Sequence, residues 1–118
     1  MTYYQRARDL FKMIEEGKLI ESLDIYYHDD VSIITDDGKE RNGKEKARDY
    51  DEKFIREIEE VLGGEVRTIT SDEEKRITMV EFWIELKFKN GQRKKIEEVA
   101  VQHWEKDLII RESFYSKK

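Results

Sequence analysis

Apolar residues recur at helical spacing through the first half of the chain and at strand spacing through the second. Tyr3, Ala7, Leu10, Phe11 and Ile14 form one stripe, closed by Gly17, which predicts a helix over 3–16. Leu19, Ile20, Leu23, Tyr26 and Tyr27 predict a second, short helix over 18–27. The stretch HDDVSIITDDGKE predicts a strand over 31–35 that runs into an Asp-Asp-Gly turn. After Asn42-Gly43, the stripe Ala47, Tyr50, Phe54, Ile58 and Val61 predicts a long helix over 44–62, ended by Gly63-Gly64. The remainder predicts strands over about 65–71, 75–89, 92–105 and 108–116. Helices first and an antiparallel meander last make an α+β arrangement, with 1–118 as a single domain.

Two turns set the expected register. Asn90-Gly91 is a strong short hairpin signal, and Lys106-Asp107 makes the next tight turn. Read as two-residue loops, they pair Phe82 with Val99, Val80 with Val101, Thr78 with His103, and Val101 with Glu112. Side chains alternate between sheet faces. One face then carries Val80, Phe82, Val99, Val101, His103, Ile110, Glu112 and Phe114, and is expected under the helices. The other carries Met79, Trp83, Ala100, Gln102, Trp104 and Tyr115.

Composition narrows the function classes. Charged residues are 43 % of the chain and apolar ones 37 %, but the aromatics are clustered, as in a folded domain. The net charge is -5, and only Arg93-Lys94-Lys95 approaches a basic patch, so no nucleic-acid partner is expected. There is no cysteine, hence no disulfide framework and no thiolate metal site. No apolar run approaches the roughly 18 residues of a membrane span. The start MTYYQRARDLF is broken by charges and lacks a signal-peptide core. A cytoplasmic protein with no membrane partner is the expectation. Proline is absent despite the many turns, which points to an engineered or designed origin as readily as to a natural one.

Two helices, a strand, a long helix and a curved antiparallel sheet is an order that resembles the nuclear transport factor 2-like cone. The stretch EEGKLIESLDIYYHDDVSIITDDGKERNGKEKARDY is similar to the SnoaL-like branch, in its Gly after helix one, its aromatic-rich YYHDDV and its NGKE turn. The tail VQHWEKDLIIRESFY resembles that branch's final hairpin. The resemblance covers nearly the whole chain and implies three helices on a curved sheet with a cone-shaped pocket. It does not carry one activity, because this scaffold hosts isomerases, cyclases, dehydratases, adaptors and ligand-binding proteins. Aligned with the ketosteroid isomerases, whose chemistry uses an Asp base with a Tyr and a protonated Asp, this chain has Leu10, Thr35 and Ala100 at the three positions. At the acid/base position of the cyclases, Ser113 falls closest, with Glu112 beside it.

The candidate chemistry follows from the expected faces. His103 and Glu112 share a face one diagonal step apart, so they form a candidate general acid/base pair, or two polar groups that satisfy each other at the mouth of the cone. Tyr26, Tyr50, Phe54, Phe82, Val99 and Val101 are the expected lining of a pocket for a small hydrophobic ligand. His28-Asp29-Asp30 are sequence neighbours that do not converge as metal ligands do, so no metal and no cofactor are expected. Met79, Trp83, Gln102, Trp104 and Tyr115 on the second face predict a self-complementary homodimer surface. Three functions compete: a small-molecule-binding or scaffold domain; a cofactor-free isomerase, cyclase or lyase using Glu112 or His103; and an adaptor with a filled cone.

Overall fold

The computed structural model describes residues 1–117. In chain order its elements are α1 (Tyr3–Glu15), α2 (Leu19–Tyr26), β1 (Tyr27–Ile34), β2 (Glu40–Asn42), α3 (Lys44–Glu57), β3 (Ile58–Asp72), β4 (Ile77–Phe88), β5 (Arg93–Glu105) and β6 (Leu108–Ser116). Thr2 caps α1: its hydroxyl accepts from the Gln5 N–H while the Gln5 side chain accepts from the Thr2 N–H. At the other end, Gly17 N–H donates to Ile14 and Lys18 N–H to Met13, a closing pattern that satisfies the last carbonyls.

All six strands form one sheet in the order β2-β1-β6-β5-β4-β3, parallel between β1 and β6 and antiparallel elsewhere. The α+β architecture read from the sequence is the architecture of the chain. Ala7, Leu10 and Phe11 of α1, Leu23 of α2 and Ala47 of α3 are buried against Val31 and Ile33 of β1, Val80 of β4, Ala100 and Trp104 of β5 and Ile109 of β6. This layer, taken out of water, is the main favourable term holding helices to sheet.

Three boundaries differ from expectation, each for a local reason. Helix 44–62 ends at Glu57, because the segment from Ile58 pairs with β4 instead. Gly63-Gly64 therefore lies inside a strand rather than closing a helix. A Cβ at Gly63 would stand 3.2 Å from the Trp83 ring, and one at Gly64 would stand 3.2 Å from the Trp83 carbonyl oxygen. The two glycines let β4 approach this closely. Register shifts between Ile58 and Glu60, Val61 and Gly63, and Val66 and Thr68 bend the same strand. Finally, the second helix stops at Tyr26, Tyr27 opens β1, and the three-residue β2 follows the Asp-Asp-Gly turn.

The β4–β5 hairpin overturns the expected register. Phe88 N–H donates to Gln92 at 2.8 Å, and Gly91 N–H donates back to Phe88 at 2.9 Å. The loop is therefore Lys89-Asn90-Gly91, a turn followed by one left-handed residue, with Gly91 at φ 89°. A side chain at Gly91 would resist that conformation. The added loop residue moves β5 by one position: Val80 faces Ala100, Phe82 faces Glu98 and Thr78 faces Gln102. Every β5 side chain changes face. The β5–β6 pairing is also one residue off the expected one, with Ala100 opposite Phe114 and Gln102 opposite Glu112. Two slips of one residue cancel, so β6 keeps its expected face up to the irregularity near the turn, where Ile109 rather than Ile110 is buried.

Candidate functional site

Three cross-strand rows line the inner face of the sheet: Thr78–Gln102–Glu112, Val80–Ala100–Phe114 and Phe82–Glu98–Ser116. The first row is joined through its side chains. Trp104 Nε1 donates to Thr78 Oγ1 at 2.9 Å, and Thr78 Oγ1 donates to Gln102 Oε1 at 2.7 Å. Gln102 Nε2 donates to Glu112 Oε2 at 2.7 Å, and the Tyr27 hydroxyl donates to Glu112 Oε1 at 2.6 Å. Glu112 is only 2 % exposed. A carboxylate in that position is tolerable because both oxygens accept hydrogen bonds.

Burial pushes the Glu112 carboxyl up to about 7, opposed by the hydrogen bonds from Tyr27 and Gln102 and reinforced by the charges of Asp51 and Glu98. Burial, together with the charge and hydrogen bond of Glu112, holds the Tyr27 phenol well above its ordinary range. Asp51, on α3, is raised to about 6 by burial, with Arg41 pulling the other way. Burial also raises Glu98, against the hydrogen bond that Ser116 Oγ donates at 2.7 Å. The interior thus puts the Glu112 carboxyl against the Tyr27 hydroxyl and within the influence of the Asp51 charge, an arrangement able to hold or release a proton near neutral pH.

Around these polar groups the surface is aromatic. Phe82 packs on Phe11 of α1 with ring centroids 5.5 Å apart, and Phe54 of α3 meets the edge of Phe88 at 6.1 Å. Phe54, Phe82 and Phe114 are each only partly buried. Phe82 lies on the inner face of β4, and Phe54 on the side of α3 that meets Phe88.

Several expected site residues lie elsewhere. Val99, Val101 and His103 point to the outer face, with Val99 opposite Glu81 and Tyr115, Val101 opposite Met79 and Ser113, and His103 opposite Ile77 and Arg111. His103 and Glu112 are therefore on opposite sides of the sheet, and the pair inferred from a two-residue turn does not form. Gln102 and Trp104, expected on the outer surface, are buried inside. Tyr50 is 48 % exposed, its ring covered by the Arg41 guanidinium at 3.4 Å. It lies off the inner stripe of α3, which runs Ala47, Asp51, Phe54. Tyr26 packs at the edge of the core, where burial and then the Asp9 charge raise its phenol. The inward tyrosine is its neighbour Tyr27. Thr78 and Asp51 were not singled out from sequence, and Gln102 was expected only on the outer surface. The one signal for Asp51 is its i+4 spacing from Ala47 and its place one turn before Phe54.

The outer face keeps an apolar surface. Met79 is 44 % and Tyr115 64 % exposed, with Trp83, Val99 and Val101 partly exposed between them. A shallow groove of about 150 Å³ at one end of the sheet takes its lining from both faces, with Glu81, Val99 and Tyr115 from the outer side and Phe82 and Glu98 from the inner side. Among the described residues, no three His, Cys, Asp or Glu side chains converge as a metal site would require, and no helix is long and apolar enough to cross a membrane.

No protein-family model and no curated protein matches this sequence. Solved structures do match its fold. A candidate SnoaL-like polyketide cyclase from Mesorhizobium loti superposes with a TM-score of 0.84 at 23 % identity, over 98 % of this chain and 99 % of that one. An NTF2-like protein of unknown function from Burkholderia pseudomallei gives 0.82 at 13 % identity, over 99 % and 92 %. A candidate isomerase from Bacillus subtilis gives 0.83 at 13 % identity, over 99 % and 90 %. With three helices on one curved, mostly antiparallel sheet and these neighbours, the chain has the nuclear transport factor 2-like fold in the form shared by SnoaL-like proteins.

Proposed function

We propose that the chain binds a small, largely apolar molecule inside the cone, with Phe54, Phe82 and Phe114 as apolar walls and the Glu112–Tyr27 pair as polar anchor. The observation that carries this reading is the buried Glu112 carboxyl, aimed at the helices and hydrogen-bonded by Tyr27 at 2.6 Å beside partly open aromatic rings. Apolar walls with a few convergent polar groups are the usual make-up of a ligand site. The neutral fluorophore N-phenyl-1-naphthylamine tests it. Saturable binding that shifts in Phe54→Leu and Glu112→Gln but not in the outer-face variant Val99→Thr is expected. Absence of saturable binding overturns the reading.

A second reading is favoured by the Glu112 carboxyl standing at about 7, close to the pKa a general acid/base needs at neutral pH. In that reading the chain is a cofactor-free isomerase, cyclase or lyase in which Glu112 moves a proton and His103, outside the cone, takes no part. Turnover of an enolisable ketone that is lost in Glu112→Gln and kept in His103→Gln would establish it.

The outer face supports a homodimer built on Met79, Trp83, Val99, Val101 and Tyr115, since an apolar surface of this kind is better covered than wet. Gln102 and Trp104, buried within the chain, are not part of that surface. A cytoplasmic location agrees with a chain that has no cysteine, and a designed origin with one that has no proline.

A further inference from the structure

We infer that Tyr27 is the group whose hydrogen bond reverses when Glu112 takes up a proton, so that its hydroxyl hydrogen turns from the carboxylate to whatever occupies the cone. The network is oriented from its far end. An indole N–H can only donate, so Trp104 fixes Thr78 Oγ1 as its acceptor at 2.9 Å. The single hydroxyl hydrogen of Thr78 goes to Gln102 Oε1 at 2.7 Å. That contact sets the amide with Nε2 facing Glu112 Oε2 at 2.7 Å. An amide nitrogen does not accept, so a proton on Oε2 would bring two hydrogens together. The proton from solvent must therefore sit on Oε1. There the Tyr27 oxygen, 2.6 Å away, has lone pairs to receive it. Once Oε1–H donates to Tyr27, the phenol hydrogen has to find another acceptor.

The groups around Glu112 define where that hydrogen goes. Titratable or polar neighbours come from β1 (Tyr27), β5 (Gln102 and Glu98) and α3 (Asp51), while the buried faces of α1 and α2 contribute Ala7, Leu10, Phe11, Ser22 and Leu23, none ionisable. Asp51 is the second charge acting on Tyr27, after Glu112. In an empty cone Asp51 attracts the released hydrogen. In an occupied cone it points at an acceptor on the bound molecule, which selects carbonyl- or ether-bearing ligands at the lower pH. That last step rests on the binding reading above; the reversal itself does not.

The test is carbon NMR of the full chain, labelled at Glu Cδ and Tyr Cζ and titrated from about pH 5 to pH 9. The Glu112 and Tyr27 signals are expected to move with one midpoint. Thr78→Val, which touches neither residue's hydrogen bond, removes the hydroxyl hydrogen that holds Gln102 Oε1 and lets the amide turn its oxygen to Glu112. The neutral acid is then favoured, and the Glu112 midpoint rises by about half a unit or more. Thr78→Ser keeps the hydroxyl and leaves the midpoint in place. If Thr78→Val does not fold, Thr78→Ala breaks the same link and carries the same expectation. An unmoved or lowered midpoint in the folded link-breaking variant, or an equal shift in Thr78→Ser, overturns the inference. A ketone probe, 2-acetylnaphthalene, is expected to bind more tightly at about pH 6 than at about pH 8. Its failure to bind at any pH removes the binding reading and the ligand step, while the NMR titration alone decides the reversal.

Discussion

Glu112 and Gln102 face each other across β6 and β5 on the inner side of the sheet, and their side chains hydrogen-bond at 2.7 Å. The contact places an amide donor against a buried carboxyl, where a register shifted by one residue would have placed a valine. The behaviour of the interior with pH follows from it.

Stability should fall as pH rises through neutrality. Glu112 has a folded value of about 7 against an ordinary 4.5, so between those limits the folded chain holds more protons than the unfolded one. The Glu112 contribution is thus fully present below about pH 4.5 and is lost through pH 7, by on the order of 3 kcal/mol. Glu112→Gln mimics the neutral acid: its oxygen accepts from Gln102 and its N–H₂ donates to Tyr27. Chemical denaturation should find this variant more stable than the parent at about pH 8 and nearly equal at about pH 5. A residual slope from Asp51, raised to about 6, remains in both.

Tyr27→Phe removes a donor from a buried carboxylate. The expected loss is about 1.5–3 kcal/mol at alkaline pH, where Glu112 is charged, and about 1 kcal/mol where it is neutral. Urea midpoints at the two pH values measure the difference. Equal losses at both would mean that Tyr27 only fills space.

His103→Gln should change stability by less than about 0.5 kcal/mol and leave the pH profile unaltered, because the imidazole is separated from Glu112 by the sheet. A variant that flattened the profile would put the imidazole back in the cone.

For the outer face, Val101→Glu places a charge at the centre of the proposed dimer surface, opposite Met79 and Ser113. Sedimentation velocity should show the parent as a dimer and the variant as a folded monomer, with unchanged circular dichroism. A parent that sediments as a monomer removes the dimer.

The fold was legible because its signals are redundant. Ala7, Leu10 and Phe11 repeat at helical spacing, the β4 and β6 faces alternate cleanly, and Gly17 and the Asp-Asp-Gly turn punctuate them. The site was less legible because it hangs on one loop. Asn90-Gly91 serves a two-residue turn and the tail of a three-residue turn equally well, and the two differ in the face they give all of β5. Val99 and Val101 look like core residues on hydropathy, while Gln102 does not. Local pattern alone could not show that Gln102 would find Thr78, Glu112 and, through Thr78, Trp104 to satisfy it. The end of α3 was hidden for a related reason. Ile58 and Val61 suit a helical stripe as well as an edge strand, and pairing with β4 decides between them.

The most direct measurement is the titration of the Glu112 side-chain carboxyl carbon in the unmodified, folded chain. A midpoint near 7, accompanied by a response at Tyr27, is the result expected of a carboxyl sealed inside the cone and held by Tyr27 and Gln102. A midpoint in the ordinary range near 4.5 would mean that Glu112 faces water, and would contradict the inward placement of the row on which the proposed site is built.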